Sequence, residues 1–269
     1  MKIVSFNINS VRARPHQLEF IRDTINPDVI GLQETKVHDD EFPFEMIKEI
    51  GYHSEFWGQK GHYGVALLSK KKPLDVLKGF KTDNSEDQKR FIQCSYTYKK
   101  DEIIIMNGYF PQGENRSHQT KFPKKIKFYK DLEKHIRHIK KKSNLIIVMG
   151  DYNVAPSDLD IGIGEQNVKR WLRDGKCAFL PEEIEMWKSI KDLGLEDTWR
   201  IQNPQDNFTY SWFDYRSRMF NDNPKRGLRI DHILASKDLI KNLHKTGIDY
   251  DSRGLEKPSD HCPVWASFK

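Results

Sequence analysis

The stretch Leu145-Ile146-Ile147-Val148-Met149-Gly150-Asp151-Tyr152-Asn153 joins five apolar residues without a break to a glycine, a carboxylate, an aromatic and an amide. A short continuous apolar run bounded by turn formers predicts a strand buried on both faces. Gly150 lets the backbone leave that strand tightly, so Asp151 and Asn153 are expected at its end, two apart and on the same side. A rigid strand is a precise mount for polar chemistry. Taken alone, the plainer reading is a turn in which Asp151 and Asn153 satisfy local backbone N–H groups. The rest of the chain has to separate the two.

Its 269 residues suffice for a sizeable core, and 37% hydrophobic and 12% aromatic residues supply one. A 31% charged fraction suits a soluble surface, and nothing approaches a membrane span. The opening residues 1–6 read as a strand rather than a signal peptide. Cys94, Cys177 and Cys262 are odd in number and widely spaced, which fits neither a zinc motif nor a disulfide framework and points to a reducing cytoplasm. A net charge of +6 favours polyanionic partners, weakly.

Working outward, residues 2–8 alternate as a strand and stop at Asn7-Ile8-Asn9-Ser10. Leu18, Ile21 and Ile25 follow at helical spacing until Asn26-Pro27. Val29-Ile30-Gly31-Leu32 is a second short buried strand, and it delivers Gln33-Glu34. A helix is expected over 41–50, strands over 52–57 and 63–69, and a hairpin from 91–98 and 102–107. Helix 121–142 carries Ile126, Tyr129, Leu132, Ile136 and Ile139 as one apolar stripe. A further helix is expected near 181–193 and strands over 227–235 and 262–268. With no repeat or linker, and strands paired between helices, the chain reads as one compact domain with mixed or mostly antiparallel sheets rather than a Rossmann sheet.

The polar residues at predicted strand ends are Asn7, Glu34, Tyr109, Asp151, Asn153, Asp231 and Ser259-Asp260-His261. Such ends can converge on one edge of a layered sheet fold. Oxygen ligands dominate the set, so a hard divalent cation, Mg²⁺ or Mn²⁺, is the metal to expect.

Six segments then carry a resemblance. Ser5-Phe6-Asn7-Ile8-Asn9, Leu32-Gln33-Glu34-Thr35-Lys36, Asn107-Gly108-Tyr109-Phe110-Pro111, Gly150-Asp151-Tyr152-Asn153, Trp212-Phe213-Asp214-Tyr215-Arg216 and Ser259-Asp260-His261 stand in an order and spacing that resemble the bacterial exonuclease III family. That family belongs to the endonuclease/exonuclease/phosphatase superfold. Any one motif is weak; six in order over the whole chain are specific. The resemblance implies an α/β fold of the α+β type, a four-layered α/β sandwich with two packed mixed β-sheets flanked by helices, as one domain over residues 1–269.

It also implies roles. Glu34, helped by Asn7, is expected as the principal metal carboxylate, with Asp151, Asn153 and Asp260 completing a Mg²⁺ site that Mn²⁺ can also fill. Asp151 is expected to orient or deprotonate the attacking water, and Asn153 to hold phosphate, water or cation. His261 is expected at the scissile phosphate, with Asp231 fixing its tautomer. Tyr109 belongs to the catalytic set, as a hydrogen-bonding phenol or a phenolate. Gln112, Lys121, Arg90, Arg170 and Arg216 are candidate phosphate contacts, and Trp212 and Phe213 candidate walls of an abasic-sugar pocket.

The activity so implied is a DNA-repair nuclease acting on double-stranded DNA as a monomer in the cytoplasm, away from membranes. It would remove nucleotides from 3′ ends, incise 5′ to abasic sites and clean 3′-blocked ends. Another metal-dependent phosphodiesterase of the superfold and a non-catalytic nucleic-acid-binding module are the competing readings. Two departures from the family pattern stand out: a longer loop over 221–226, and His232 where an apolar residue is more usual. Strand alternation should point His232 away from Asp231.

Overall fold

The apolar residues at 146–149 are buried from both sides, as expected: Ile146 and Val148 pack into one core, Ile147 and Met149 into another. In chain order the computed structural model, which describes residues 1–217 and 219–269, runs β1 (Lys2–Asn7), α1 (Pro15–Thr24), β2 (Val29–Gln33), α2 (Phe44–Glu49), β3 (His53–Trp57), β4 (Val65–Ser69), β5 (Asp75–Lys78), β6 (Phe91–Tyr98), β7 (Asp101–Tyr109), α3 (Lys121–Ile139), β8 (Ile146–Asp151), α4 (Glu165–Arg173), α5 (Pro181–Lys191), β9 (Leu195–Asp197), α6 (Thr198–Gln202), β10 (Asp231–Ser236), α7 (Lys237–Ile240), β11 (Leu243–Ile248), α8 (Tyr250–Arg253) and β12 (Val264–Phe268).

The strands form two six-stranded sheets, ordered β11-β12-β1-β2-β4-β3 and β5-β6-β7-β8-β10-β9. Each is mixed. The parallel pairs β1/β2 and β7/β8 are joined by connections containing α1 and α3, as a parallel crossover requires. Their remaining neighbours are antiparallel, some joined directly as β6/β7 and some distant in the chain as β1/β12 and β8/β10. Four layers result. One core fills the space between the sheets, with Ile3, Val29 and Leu67 from the first facing Ile105, Ile147 and Met149 from the second. A second core sits under α1 and α2, with Leu18, Ile21 and Ile47 on Val4, Phe6 and Ile30. A third lies under α3 and α5, where Leu132, Ile136, Trp187 and Ile190 cover Ile146 and Val148.

Polar groups also cross the layer between the sheets. Asn107 on β7 donates to the carbonyls of Leu32 and Ala66, both at 2.9 Å, and accepts from Gln33 at 2.6 Å. Gly31 makes room for it, because a Cβ there would lie 2.9 Å from the Asn107 side chain and 2.5 Å from Met149. Full pairing of a buried amide makes such a cross-tie specific to one alignment of the sheets.

Several boundaries differ from expectation. The strand expected from 145 begins at Ile146 and continues through Gly150 to Asp151, so Gly150 is not an exit turn. Its backbone (φ 152°) packs on Gly108 of β7, whose carbonyl oxygen a Cβ would meet at 1.9 Å. Helix α2 starts at Phe44, after a 3-10 turn at Asp39–Glu41. Helix α3 stops at Ile139, with Lys140 as its C-cap residue, and the Lys140 side chain donates to the carbonyl of Leu193. Residues 227–230 precede β10 as extended chain, since pairing with β8 begins at Asp231. The edge strands β5, β9 and β11 and the helices α4, α6, α7 and α8 were not anticipated.

Candidate active site

The C-terminal ends of β1, β2, β7 and β8 and the start of β10 meet on one rim, completed by the chain just before β12. The residue after β2, Glu34, adopts left-handed backbone (φ 51°), as do Asn9 (φ 49°) and Asn153 (φ 51°). Non-glycine residues in that region cluster where surrounding contacts over-determine the backbone. Asn7 is the hub: its Nδ2 donates to Glu34 Oε1 at 2.9 Å and to Asp151 Oδ2 at 3.0 Å. The other Asp151 oxygen accepts the N–H of Asn153 at 2.9 Å. Thus the local turn and the polar site are both real, one carboxylate oxygen serving each.

Across the antiparallel pair, Asp231 stands opposite Asp151. His261 links the two, with Nδ1 2.9 Å from Asp231 Oδ2 and Nε2 3.8 Å from Asp151 Oδ2. Burial alone would lower the imidazole pKa, but Asp231 and then Asp151 outweigh it and raise His261 to about 10. It is therefore an imidazolium at neutral pH. Asp151 moves the other way from a normal carboxyl. Burial pushes it up to about 7, opposed by His261 and reinforced by Asp231.

Tyr109 is held as a neutral phenol, raised well above 10 by burial and by Glu34 against the opposing pull of Arg90. Arg90 itself is not a free phosphate contact. It is buried, with its guanidinium 4.5 Å from the ring centres of both Tyr63 and Tyr109, and it donates to the Tyr109 carbonyl at 3.0 Å and to Gln88 at 2.6 Å.

The donor set suits a hard divalent cation. Glu34 and Asp151 offer carboxylate oxygens of the expected kind, while Asn7 turns its Nδ2 to both and its Oδ1 to the N–H of Asn9. Burial keeps the Asp151 carboxyl pKa raised. Asp151, Asp231 and His261 also lie close enough to one another to hold an ion. Protonation of His261 and its engagement by Asp231 turn that group into a charge pair and leave the Glu34–Asp151 side for a cation. Asp260 lines the same pocket as Glu34 and Asp151. Its oxygens accept from Asn9 Nδ2 at 2.9 Å and Trp212 Nε1 at 3.0 Å, and it is linked to Glu34 through Asn9 and Lys36.

An open pocket of about 410 Å³ adjoins this rim, between Trp212, Leu228 and Ile230 on one wall and Trp171 and Lys176 on another. Gln112 and Arg216 line it too. Phe213, expected beside Trp212, does not: its neighbour in an extended segment points the opposite way, and its ring is fully buried with Tyr210 and Cys262. Lys121 is exposed and paired with Glu114, and Arg170 lies exposed on α4, bonded to Asn167 at 2.8 Å. His232 points away from Asp231 as alternation requires, into a buried cluster with Arg229 and Asp197.

Sequence reasoning overlooked four residues of the site. Asn9 and Lys36 lay inside quoted segments but carried no assigned role. Trp171 and Lys176, stacked with Nζ 3.5 Å from the ring centre, fall in a stretch with no clear strand or helix period. The loop over 221–226 closes on itself through Arg226 and Asp222 and contributes nothing to the pocket wall named above.

A profile described as the Endonuclease/Exonuclease/phosphatase family matches residues 4–261. The chain belongs to that family. It is 56% identical over 269 residues to "Exodeoxyribonuclease III" of Haemophilus influenzae, covering 100% of both chains. Among solved structures, the 3′ phosphatase NExo from Neisseria bound to product DNA hairpin superposes with a TM-score of 0.91 at 33% identity, covering 100% of this chain and 99% of that one. An AP endonuclease from Archaeoglobus fulgidus superposes with a TM-score of 0.87 at 32% identity, with the same coverage. The four-layered sandwich is the architecture of this family.

Proposed function

We propose that the protein is a DNA-repair hydrolase of the exodeoxyribonuclease III type, a 3′-to-5′ exonuclease on double-stranded DNA that also incises 5′ to abasic sites and cleans 3′-blocked ends. The observation that carries this reading is the convergence of Asn7, Glu34, Asp151, Asp231 and His261 on one rim, in a chain 56% identical to a full-length exodeoxyribonuclease III.

Glu34 and Asp151, with Asn7 and Asn153 beside them, would hold Mg²⁺ or its substitute Mn²⁺. When bound, the cation neutralises charge on a phosphate oxygen and on the leaving alkoxide. The remaining work falls to the protein's own groups. Asp151 accepts a proton from the attacking water, whose oxygen bonds to phosphorus as the P–O3′ bond breaks. The departing 3′ oxygen takes a proton from solvent to end as a hydroxyl, and the phosphate stays on the 5′ side. His261, kept cationic by Asp231, offers its Nε2–H to a phosphoryl oxygen as negative charge develops there. Asn153 donates through Nδ2 to the Phe110 carbonyl at 2.9 Å, which fixes its amide plane toward phosphate, water or cation. Tyr109, as a phenol, donates a hydrogen bond rather than attacking.

Trp212, Leu228 and Ile230 form an apolar wall for a sugar that has lost its base. Arg216, Arg170, Lys121 and Gln112 are the candidate contacts to flanking phosphates, which position the duplex without reading sequence. We further read the chain as one domain working as a monomer in a reducing cytoplasm. A single core joins its two sheets, its free cysteines are buried, and among the described residues no helix is long and apolar enough to cross a membrane. A lipid or inositol-phosphate phosphodiesterase and a non-catalytic DNA binder have no observation in their favour.

The test is incubation of an end-labelled duplex carrying a synthetic abasic site with Mg²⁺ or with EDTA. Incision at the site and a 3′-shortening ladder, both abolished by EDTA, are expected. Cleavage that persists in EDTA, or none in Mg²⁺, would overturn the reading.

A further inference from the structure

Three consecutive carbonyls of the segment bearing the catalytic groups are each held by a buried side chain from another element. Tyr129 Oη donates to the Tyr152 carbonyl at 3.0 Å and Lys125 Nζ to the Asn153 carbonyl at 2.9 Å, while His232 Nε2 lies 2.9 Å from the Val154 carbonyl. Lys125 and Tyr129 stand one turn apart on α3 and so share a face. The lysine is the unusual member, with no solvent exposure at all.

All three donors of its ammonium group have acceptors: the Asn153 carbonyl, the Gln112 carbonyl at 3.3 Å, and the equally buried carboxylate of Glu183. The second Glu183 oxygen accepts the N–H groups of Ala178 at 2.8 Å and Leu180 at 2.9 Å. One ion pair thereby fastens the loop after β7, the loop after β8 and the chain beside the pocket wall. A buried ion pair is weak evidence for stability, because neutral or apolar replacements of both partners are often tolerated. Its aim at Asn153 gives it another use. Asn153 sits in left-handed backbone, its N–H fixed by Asp151 and its carbonyl by Lys125.

We propose that Lys125, paired with Glu183, is a positioning residue for hydrolysis: through the Asn153 carbonyl it sets where the Asn153 amide meets the scissile phosphate. This rests on the function proposed above. Removing it should therefore lower kcat roughly 10–100-fold, the usual size for a group that orients another, with KM little changed.

The experiment compares Lys125→Met, Glu183→Gln, the double variant, and Lys125→Met placed on Asn153→Ala, by steady-state incision of the abasic duplex and by thermal melting. Lys125→Met alone leaves Glu183 uncompensated and is expected to melt early. The double variant should regain most of the melting temperature while keeping the kcat loss, and Lys125→Met should cost nothing further once Asn153 is alanine. Recovery of both melting and kcat in the double variant, or an undiminished Lys125→Met loss in the Asn153→Ala background, overturns the proposal and leaves a purely structural pair. Wild-type protein that fails to cut the duplex in Mg²⁺ overturns the functional reading beneath it, a result distinct from either.

Discussion

Asp151 and Asp231 face each other as directly paired residues of antiparallel β8 and β10, both buried, with His261 set between them. Like charges directly opposite on paired strands repel, and the imidazolium is what makes the pairing tenable. Replacing Asp231 by Asn removes the carboxylate that most raises His261. The folded imidazole pKa then drops, so the charge needed at the phosphate is lost at lower pH. A pH profile of single-turnover incision should show the alkaline limb of Asp231→Asn displaced toward neutrality, with the plateau down by about 10²-fold or more. Coincident alkaline limbs would show that Asp231 does not set the His261 charge.

Cation binding should register as stability, independently of turnover. A ligand that binds only the folded state raises the melting temperature as its concentration passes Kd. Mg²⁺ should therefore raise the melting temperature of the wild type and leave that of Glu34→Ala unmoved. An equal rise in both would place the cation elsewhere.

Beneath the pocket wall, Arg229 pairs with Asp160 at 2.6 Å and Asp197 at 2.8 Å, all three buried. Burial would raise both carboxyls, but Arg229 overrides it and holds them below the usual range. Their contribution is complete above the unfolded carboxylate pKa, about 4, and fades as pH falls from there toward their lower folded values. Arg229→Met leaves the buried Asp197 without its arginine and Asp160 with Arg200 alone, and should cost about 3–5 kcal/mol at neutral pH. Urea unfolding from pH 7 to 3 should show a steep acid loss in the wild type and a shallower one in the variant. Parallel curves would contradict the assignment.

The basic residues divide into two kinds. Exposed Arg216 lines the pocket, so Arg216→Ala should reduce the slope of log affinity against log salt by about 1. Buried Arg90 is committed to Tyr63 and Tyr109, so Arg90→Ala should lower kcat through Tyr109 and leave that slope unchanged. Salt titrations of duplex binding separate them; a reduced slope for Arg90→Ala would restore it as a phosphate contact.

Legibility of these features in the sequence followed the strength of the local signal. Strand β8 and helix α3 stood out because continuous burial and a 3.6-residue stripe are written in consecutive residues. Edge strands β5 and β11 were missed because, with intermediate and exposed residues, they carry no clean alternation, and three-residue β9 is too short to show a period. At the site, Asp151, Glu34 and His261 were legible as polar residues at strand ends, reinforced by resemblance. Phe213 was misjudged because adjacent aromatics in extended chain face opposite ways, and only the fold tells which face is pocket. Arg90 was read as a phosphate contact and Lys125 was given no role, since nothing local reveals that two tyrosine rings or a distant Glu183 will enclose them.

Asp151→Asn tests the central claim most directly. The substitution removes a buried carboxyl whose pKa is raised to about 7. Because a raised carboxyl costs stability above the unfolded pKa, and fully so above the folded one, the cation-free variant should melt at or above the wild-type temperature at pH 8. Its single-turnover incision of an abasic duplex in Mg²⁺ should nonetheless fall by about 10²–10⁴-fold, the scale of a lost proton acceptor. Intact folding with incision near the wild-type rate would contradict the account.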